Sequence, residues 1–215
     1  MNNNFYNNFN DNNMELDFLT NDNIYDNMNN NNVNNSLDIP LIDEMSEKND
    51  KFCKLMKKRI DGLKIIASSC RKNNTEDAIA EVGYLKDLGV ANDYLNYSLI
   101  KKDIKLIYLN NDEVLKLFPT ILLLLESKYD NYFKTAFQSA FVILKLYQNI
   151  IIDAKSCPFV SGVDLNREDK LKKYDKIIDF FYRIRISSKV AKNMNKYLEL
   201  QNFLSELDYF LKKCK

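Results

Sequence analysis

The sequence lacks the residue types on which several kinds of enzyme and metal site depend. Its 215 residues include no histidine, and the four cysteines form no Cys-x-x-Cys pair. This argues against a zinc site built from Cys and His and against a histidine general base. With only four glycines, there is no glycine-rich phosphate loop and no Gly-x-Ser-x-Gly nucleophile motif. We therefore predict that the protein is not an enzyme and uses no catalytic residues, metal or cofactor.

Long apolar runs are also missing. The longest strongly apolar run covers residues 121–125 (ILLLL), which is far too short to span a bilayer. The polar N-terminus has no basic start of the kind found in signal peptides. We expect no membrane partner, and the unpaired cysteines fit a reducing, cytoplasmic location in which thiols stay free.

Basic residues are absent from the first part of the chain. Residues 1–47 contain no Lys or Arg and nine acidic residues, and 17 of the first 35 residues are Asn. So few large apolar side chains do not offset the entropy cost of ordering a backbone. We predict a disordered, acidic, Asn-rich tail over 1–47 and a folded domain over 48–215. Alternatively, the apolar patch at 37–42 (LDIPLI) is a docking motif for a partner.

The predicted domain carries the opposite charge. Residues 48–215 hold all 31 Lys and Arg residues against 21 acidic ones, a net charge of +10. A basic domain indicates an anionic partner surface. The sign of the charge does not choose among nucleic acid, membrane headgroups and an acidic protein polymer.

Apolar residues recur at steps of three and four almost throughout the domain, which is the helical period. The residues around 130–155 are the most apolar, as expected of a central helix. We predict an all-α domain, a stacked helical bundle or solenoid-like arrangement of about six or seven helices. The longest of these are predicted over 49–72, 130–155, 167–187 and 189–212.

Several residues predict where helices begin and end. Asn74 or Thr75 is a good N-cap for the second helix, and Gly89 suits its C-terminal end. A third helix is expected to begin near residue 92. Pro119 either kinks the fourth helix or divides it into two. Asn166 is placed to cap a helix that begins at the next residue, so the preceding glycine-containing stretch is expected to be a joint between helices.

Four segments resemble the C-terminal domain of the katanin regulatory subunit family. They occur in the same order and with similar spacing over nearly all of 48–212, and the Gly-Val-Asp-Leu turn at 162–165 is the sharpest match. The segments are residues 50–66 (DKFCKLMKKRIDGLKII), 73–88 (NNTEDAIAEVGYLKDL), 114–130 (VLKLFPTILLLLESKYD) and 161–177 (SGVDLNREDKLKKYDKI).

The resemblance implies a non-catalytic regulatory subunit of a katanin-like microtubule-severing complex. Such a subunit binds the N-terminal domain of the AAA ATPase subunit as a heterodimer, contributes to microtubule binding and docks spindle-pole proteins. Its expected location is the cytoplasm, on microtubules and at the spindle pole. The family's subunit carries a WD-repeat propeller ahead of this domain, and we expect this chain to lack it.

Clusters of basic residues are the candidates for microtubule binding, because the tubulin lattice is acidic. A solvated face that keeps the domain soluble is the alternative interpretation. Lys170, Lys172, Lys173 and Lys176 lie at the start of a predicted helix, where positive charge opposes the helix dipole. Their position therefore indicates a benefit other than helix stability. The candidates are Lys51, Lys54, Lys57, Lys58, Arg59, Lys170, Lys172, Lys173, Lys176, Arg183, Arg185 and Lys189.

Apolar residues with polar tips are the candidates for the ATPase interface, since such side chains tolerate an exposed rim. A place in the core is the alternative for each of them. The candidates are Tyr84, Tyr94, Tyr97, Leu99 and Tyr108. Two other functions stay open: a generic helical adaptor with a different helix as its ligand, and nucleic-acid binding, for which no reading motif is present and which we do not expect.

Overall fold

The computed structural model describes residues 38–72, 74–104, 107–157 and 165–214. The chain divides into two compact units, Met1–Lys48 and Asn49–Lys215. The described residues form eight α-helices and one short π-helix and contain no strand, so the all-α prediction is confirmed, with one α-helix more than expected. The helices are α1 (Asp38–Arg71), α2 (Thr75–Leu85), α3 (Leu88–Leu95), π1 (Asn96–Ile100), α4 (Asn111–Leu125), α5 (Asp130–Ser156), α6 (Leu165–Ile186), α7 (Ser188–Asn193) and α8 (Leu198–Lys213).

The predicted tail overlaps the start of α1. This helix begins at Asp38, and Pro40 lies in its first turn, where the missing N–H has no intrahelical partner to lose. The side chains of 42–48 are exposed. Residues 1–37 lie outside the described residues, and the boundary at 47 stays a prediction.

The junction between α2 and α3 differs from the predicted one. Asn74 caps α2 as predicted, and its side chain accepts a backbone N–H of the first turn at 3.1 Å. The helix ends before Lys86, which adopts a left-handed conformation (φ 50°). Asp87 then caps α3 by accepting two backbone N–H groups at 2.8 and 3.2 Å. The predicted helix end at Gly89 is therefore wrong, because Gly89 lies in the first turn of α3.

A π-helix extends α3, and nothing in the apolar spacing predicted it. The Asn96 side-chain amide donates to the Asn92 carbonyl at 3.1 Å and to Thr135 Oγ1 on α5 at 2.9 Å. Side-chain bonds of this kind compete with the regular backbone ladder. The π-helix is thus tied to α5 by a polar contact, and α3 begins at Leu88 rather than near residue 92.

Helix α4 contains a proline without being divided. A capping box begins it: Asn110 accepts the Glu113 N–H at 2.9 Å, and the Glu113 carboxylate accepts the Asn110 N–H at 2.7 Å. The helix continues through Pro119 to Leu125. Of the two predicted outcomes, division into two helices is therefore wrong.

The last three helices start and stop at points the apolar spacing did not indicate. Helix α6 begins at Leu165, so Asn166 lies inside its first turn instead of capping it. Residues 158–164, which include the predicted joint, lie outside the described residues. The single helix predicted over 189–212 is wrong, because α7 and α8 are separate and Tyr197, in an extended conformation, precedes α8. Its ring packs on Phe133 and Phe137 at 6.1 and 5.7 Å between centroids, which fixes the chain between the two helices.

Helix α5 is the centre of the core, as predicted. It contacts α3, π1, α4, α6 and α8. Phe133, Phe137 and Ile151 are among its fully buried residues. From α6 and α8, Phe181 and Phe210 meet edge to face with centroids 5.7 Å apart. Each such side chain contributes about 1.5–3 kcal/mol through burial, so the covering of α5 dominates the stability of the bundle.

Helix α5 is also the one helix in the described part of the chain that is long and apolar enough to cross a membrane. That test considers length and composition only. Half of its most apolar window is buried inside the structure, and the core helix of a soluble protein meets the same criterion.

Replacing Pro119 by Ala is expected to stabilise the domain. Proline in a helix interior costs about 3 kcal/mol of stability relative to alanine. Proline also restricts the unfolded chain, and losing that restriction offsets about 0.4–1 kcal/mol of the gain. Because the Pro119 side chain is exposed, little packing is lost. The free energy of unfolding in urea should rise by about 2 kcal/mol.

The matched control is Leu123→Ala, an exposed position on the same helix, for which a change within about 0.5 kcal/mol is expected. A loss of stability on Pro119→Ala would contradict a continuous α4.

Candidate interaction surfaces

The basic face of α1 is mostly solvent-exposed. Lys51, Lys54, Lys57 and Lys58 are all exposed. Of these, Lys54, Lys57 and Lys58 form no ion pair with any residue that the structure describes. These three ammonium groups are therefore accessible to an anionic partner.

Arg59 differs from the lysines beside it, because it belongs to the contact between α1 and α3. Its guanidinium donates to Asp93 Oδ2 at 2.5 Å and to the Gly89 carbonyl at 3.2 Å. The hydrogen bond to Asp93 raises the pKa of Arg59. A β-carbon at Gly89 would lie 2.8 Å from Arg59 Cζ, so a larger residue there would displace the guanidinium from this position. Its place among the microtubule-binding candidates is corrected accordingly: the side chain holds two helices together.

Several basic residues of α6 and α7 are likewise engaged in contacts between helices. Lys173 pairs with Asp112 of α4 at 2.7 Å, and the Lys189 ammonium donates to the Ser127 carbonyl beyond the end of α4. Arg185 binds both carboxylate oxygens of a residue on α8, Asp208, at 2.6 and 3.2 Å. Spacing along one helix cannot reveal such partners, because they come from other helices.

The remaining basic candidates on α6 lie at the surface. Lys170 is exposed, and Lys172 is exposed with an acidic neighbour, Asp169, at 3.8 Å. Lys176 and Arg183 are exposed and form no ion pair with any residue in the described ranges. They lie seven residues apart on one side of α6, about 10 Å along the axis.

The tyrosine and leucine candidates for a partner interface divide into two groups. Tyr84 and Tyr108 are each 82% exposed, and Tyr97 is also exposed. Tyr94 and Leu99 are buried, at 5% and 2% exposure, because α3 and π1 turn that side toward α5. The interface prediction is therefore corrected for Tyr94 and Leu99, which belong to the core.

The structure also exposes part of an apolar stripe on α1. Leu63, Ile66 and Cys70 pack against the bundle, as the three/four spacing predicted. About two to three turns before Leu63, on the same helix, Phe52 is 58% exposed and Leu55 is 55% exposed. The spacing of apolar residues is that of one helix face. It does not show that the bundle covers only the second half of this stripe.

A groove of about 710 Å³ runs between α4 and α6. Phe118 and Phe180 are stacked beneath it with centroids 3.7 Å apart and rings 3° from parallel. Lys176 and Arg183 line it together with Asp179, which lies between them on α6. The groove therefore combines an aromatic floor with two separated cations.

The described residues offer no cluster of metal-ligating side chains, and two of their thiols are partly buried. No group of three or more metal-ligating side chains occurs there. Burial raises the pKa of the Cys70 and Cys214 thiols, which keeps them protonated and poorly nucleophilic at neutral pH.

The helical domain is similar in sequence to known proteins. The family model for the con80 domain of katanin matches residues 47–207. The katanin p80 WD40 repeat-containing subunit B1 of Danio rerio is 25% identical over 174 residues, covering 77% of this chain and 24% of the relative. The same-named subunit of Xenopus tropicalis is 28% identical over 64% of this chain and 20% of the relative. That of Gallus gallus is 29% identical over 69% and 20%.

The chain thus spans about a quarter or less of the length of these relatives. The matched region begins in the first third of α1 and ends within α8. It includes the stripe on α1, the groove and all of α2 to α7. Since the family model covers well over half of the chain, the protein belongs to the family defined by the con80 domain of katanin.

Proposed function

We propose that the protein is a non-catalytic regulatory subunit of a katanin-like microtubule-severing complex. In this role it binds the N-terminal domain of the AAA ATPase subunit as a heterodimer and contributes to microtubule binding. Membership of the con80 family and the names of its relatives as subunits support the proposal. A location on microtubules in the cytoplasm and at the spindle pole, with spindle-pole proteins as further partners, follows from the same role.

The observation that carries the ATPase contact is the half-covered apolar stripe on α1. A helix that shows Phe52 and Leu55 to solvent keeps two large apolar side chains hydrated, and covering them would be favourable by about 25 cal/mol per Å². The stripe continues the face whose later residues pack on the bundle. A helix of the ATPase's N-terminal domain, laid along this stripe, would extend the helical packing by one more layer.

Exposed tyrosines are candidates for the rim of such an interface. A β-carbon added at Gly62 of α1 would lie 3.1 Å from the Leu85 side chain at the end of α2. Tyr84 precedes Leu85 in the chain. Its ring is exposed, and tyrosine is enriched at interfaces because it combines a large apolar body with a polar tip. Tyr97 and Tyr108 are further exposed tyrosines that we keep as candidates.

The proposed microtubule contact uses another face of α1. Lys54 and Lys57 lie two and five residues from Phe52, which at 100° per residue places them well away from the apolar stripe. One helix can therefore hold the ATPase on one side and present ammonium groups to the acidic tubulin lattice on the other. Contacts of this kind are steered by charge and weaken with salt.

Phe52→Glu is expected to weaken binding of the ATPase N-terminal domain at least tenfold. Removing a buried Phe from an interface loses about 1.5–3 kcal/mol, and a buried unpaired carboxylate adds to the cost. Isothermal titration calorimetry of the purified full chain with that domain measures the effect. Tyr209→Glu, an exposed aromatic on α8, is the matched control and should bind like the wild type.

Equal affinity of the Phe52 and Tyr209 variants would remove the stripe from the interface. Failure of the wild-type chain to bind at micromolar concentrations would count against the proposed function as a whole.

Changing Lys54, Lys57 and Lys58 together to Glu is expected to abolish most co-sedimentation with microtubules at about 0.1 M salt, where the screening length is about 10 Å. The matched control reverses three exposed lysines elsewhere, at positions 134, 192 and 212, so that net charge changes equally. If both triple variants lose binding alike, net charge alone governs the interaction and the α1 face has no special role.

A further inference from the structure

The groove between α4 and α6 presents exposed side chains that the proposed ATPase contact does not use. Its floor is the stacked pair Phe118 and Phe180, and its wall includes Ile186, which is 78% exposed at the end of α6. Phe118 and Phe180 are themselves buried, at 7% and 2% exposure, so the apolar surface open to water comes from Ile186 and from the half-buried Leu115 and Leu122. Apolar area of this kind is characteristic of a binding groove.

The charges around the groove favour a particular partner. Lys176 and Arg183 lie two turns apart on α6 without an ion pair in the described part of the chain. This distinguishes them from Lys173 and Arg185 of the same helix, which pair with carboxylates of α4 and α8. The cations of the groove are therefore available to carboxylates from outside.

Asp179 constrains how those carboxylates must be spaced. It lines the groove midway between the two cations, three residues after Lys176 and four before Arg183. A uniformly acidic ligand would bring a carboxylate against Asp179. A ligand with acidic residues two turns apart and apolar residues between them avoids that repulsion and covers the exposed apolar side chains of the groove.

From these features we propose that the α4–α6 groove is a second docking site, for an amphipathic helix of a partner protein with acidic residues about seven positions apart. The helix lies along α6 with its apolar face on Leu115, Leu122 and Ile186 and a carboxylate on each of Lys176 and Arg183. The site does not depend on the stripe of α1 or on microtubules. It therefore stands or falls separately from the proposed ATPase contact.

The probe is a designed, fluorescein-labelled 18-residue helical peptide with Glu at two positions seven apart and Leu or Phe on the face between them. Fluorescence anisotropy with the full chain measures its affinity. We expect the Lys176→Glu, Arg183→Glu double variant to bind at least tenfold more weakly than the wild type. The double variant Lys134→Glu, Lys212→Glu changes the charge equally on exposed positions elsewhere and should bind as the wild type does.

Two further measurements test the apolar and spacing requirements. Ile186→Asp, at a mostly exposed position whose change should leave the fold intact, should also weaken peptide binding. A polyglutamate peptide of equal length should bind more weakly than the designed helix, because of Asp179. Unchanged circular dichroism and unfolding temperature of each variant show that it remains folded.

Equal loss of affinity in both double variants, or tighter binding of polyglutamate, would overturn the proposal in favour of a plain polyanion site. Titration of the Lys176, Arg183 variant with the ATPase N-terminal domain separates this site from the proposed ATPase contact. Wild-type affinity for that domain is expected, and its loss would assign the groove to the ATPase and overturn the separate site.

Discussion

The covering of α5 is the constraint on which the rest of the bundle depends. This helix buries Phe137 on one side and Thr135 on the opposite side, and α3, π1, α4, α6 and α8 all pack around it. Helices that must first cover a central helix turn their largest apolar side chains inward. What they leave outward is what the protein can offer to partners: the free half of the α1 stripe and the groove where α4 and α6 diverge.

The basic residues of the domain fall into two groups, those paired with carboxylates of other helices and those that are not. Arg59, Lys173 and Arg185 hold pairs of helices together through carboxylates on α3, α4 and α8. Exposed ion pairs of this kind contribute little to stability, about 0.2–1 kcal/mol each. They nevertheless leave these three cations paired with carboxylates of the domain itself. Lys54 and Lys57 on α1 and the two cations of the groove have no such partner in the described ranges, which is why the binding proposals are built on them.

Particular residues show how far the sequence went in predicting the fold. The spacing of apolar residues predicted the all-α class and the central position of α5, because the helical period is a local property. Asn74 was identified as an N-cap by its own side chain and neighbours. Gly89 was misjudged because a competing cap, Asp87, and the close approach of Arg59 from α1 were needed to place it.

The sequence alone therefore determined the helical class, the amphipathic character of each helix and the opposite charges of the two parts of the chain. These follow from the identity and spacing of neighbouring residues. The tertiary structure decided which half of the α1 stripe stays uncovered, that Tyr94 and Leu99 are core while Tyr84 is surface, and that Lys176 and Arg183 flank an aromatic floor. Each of these depends on which helices lie side by side, and residues far apart in the chain settle that through packing.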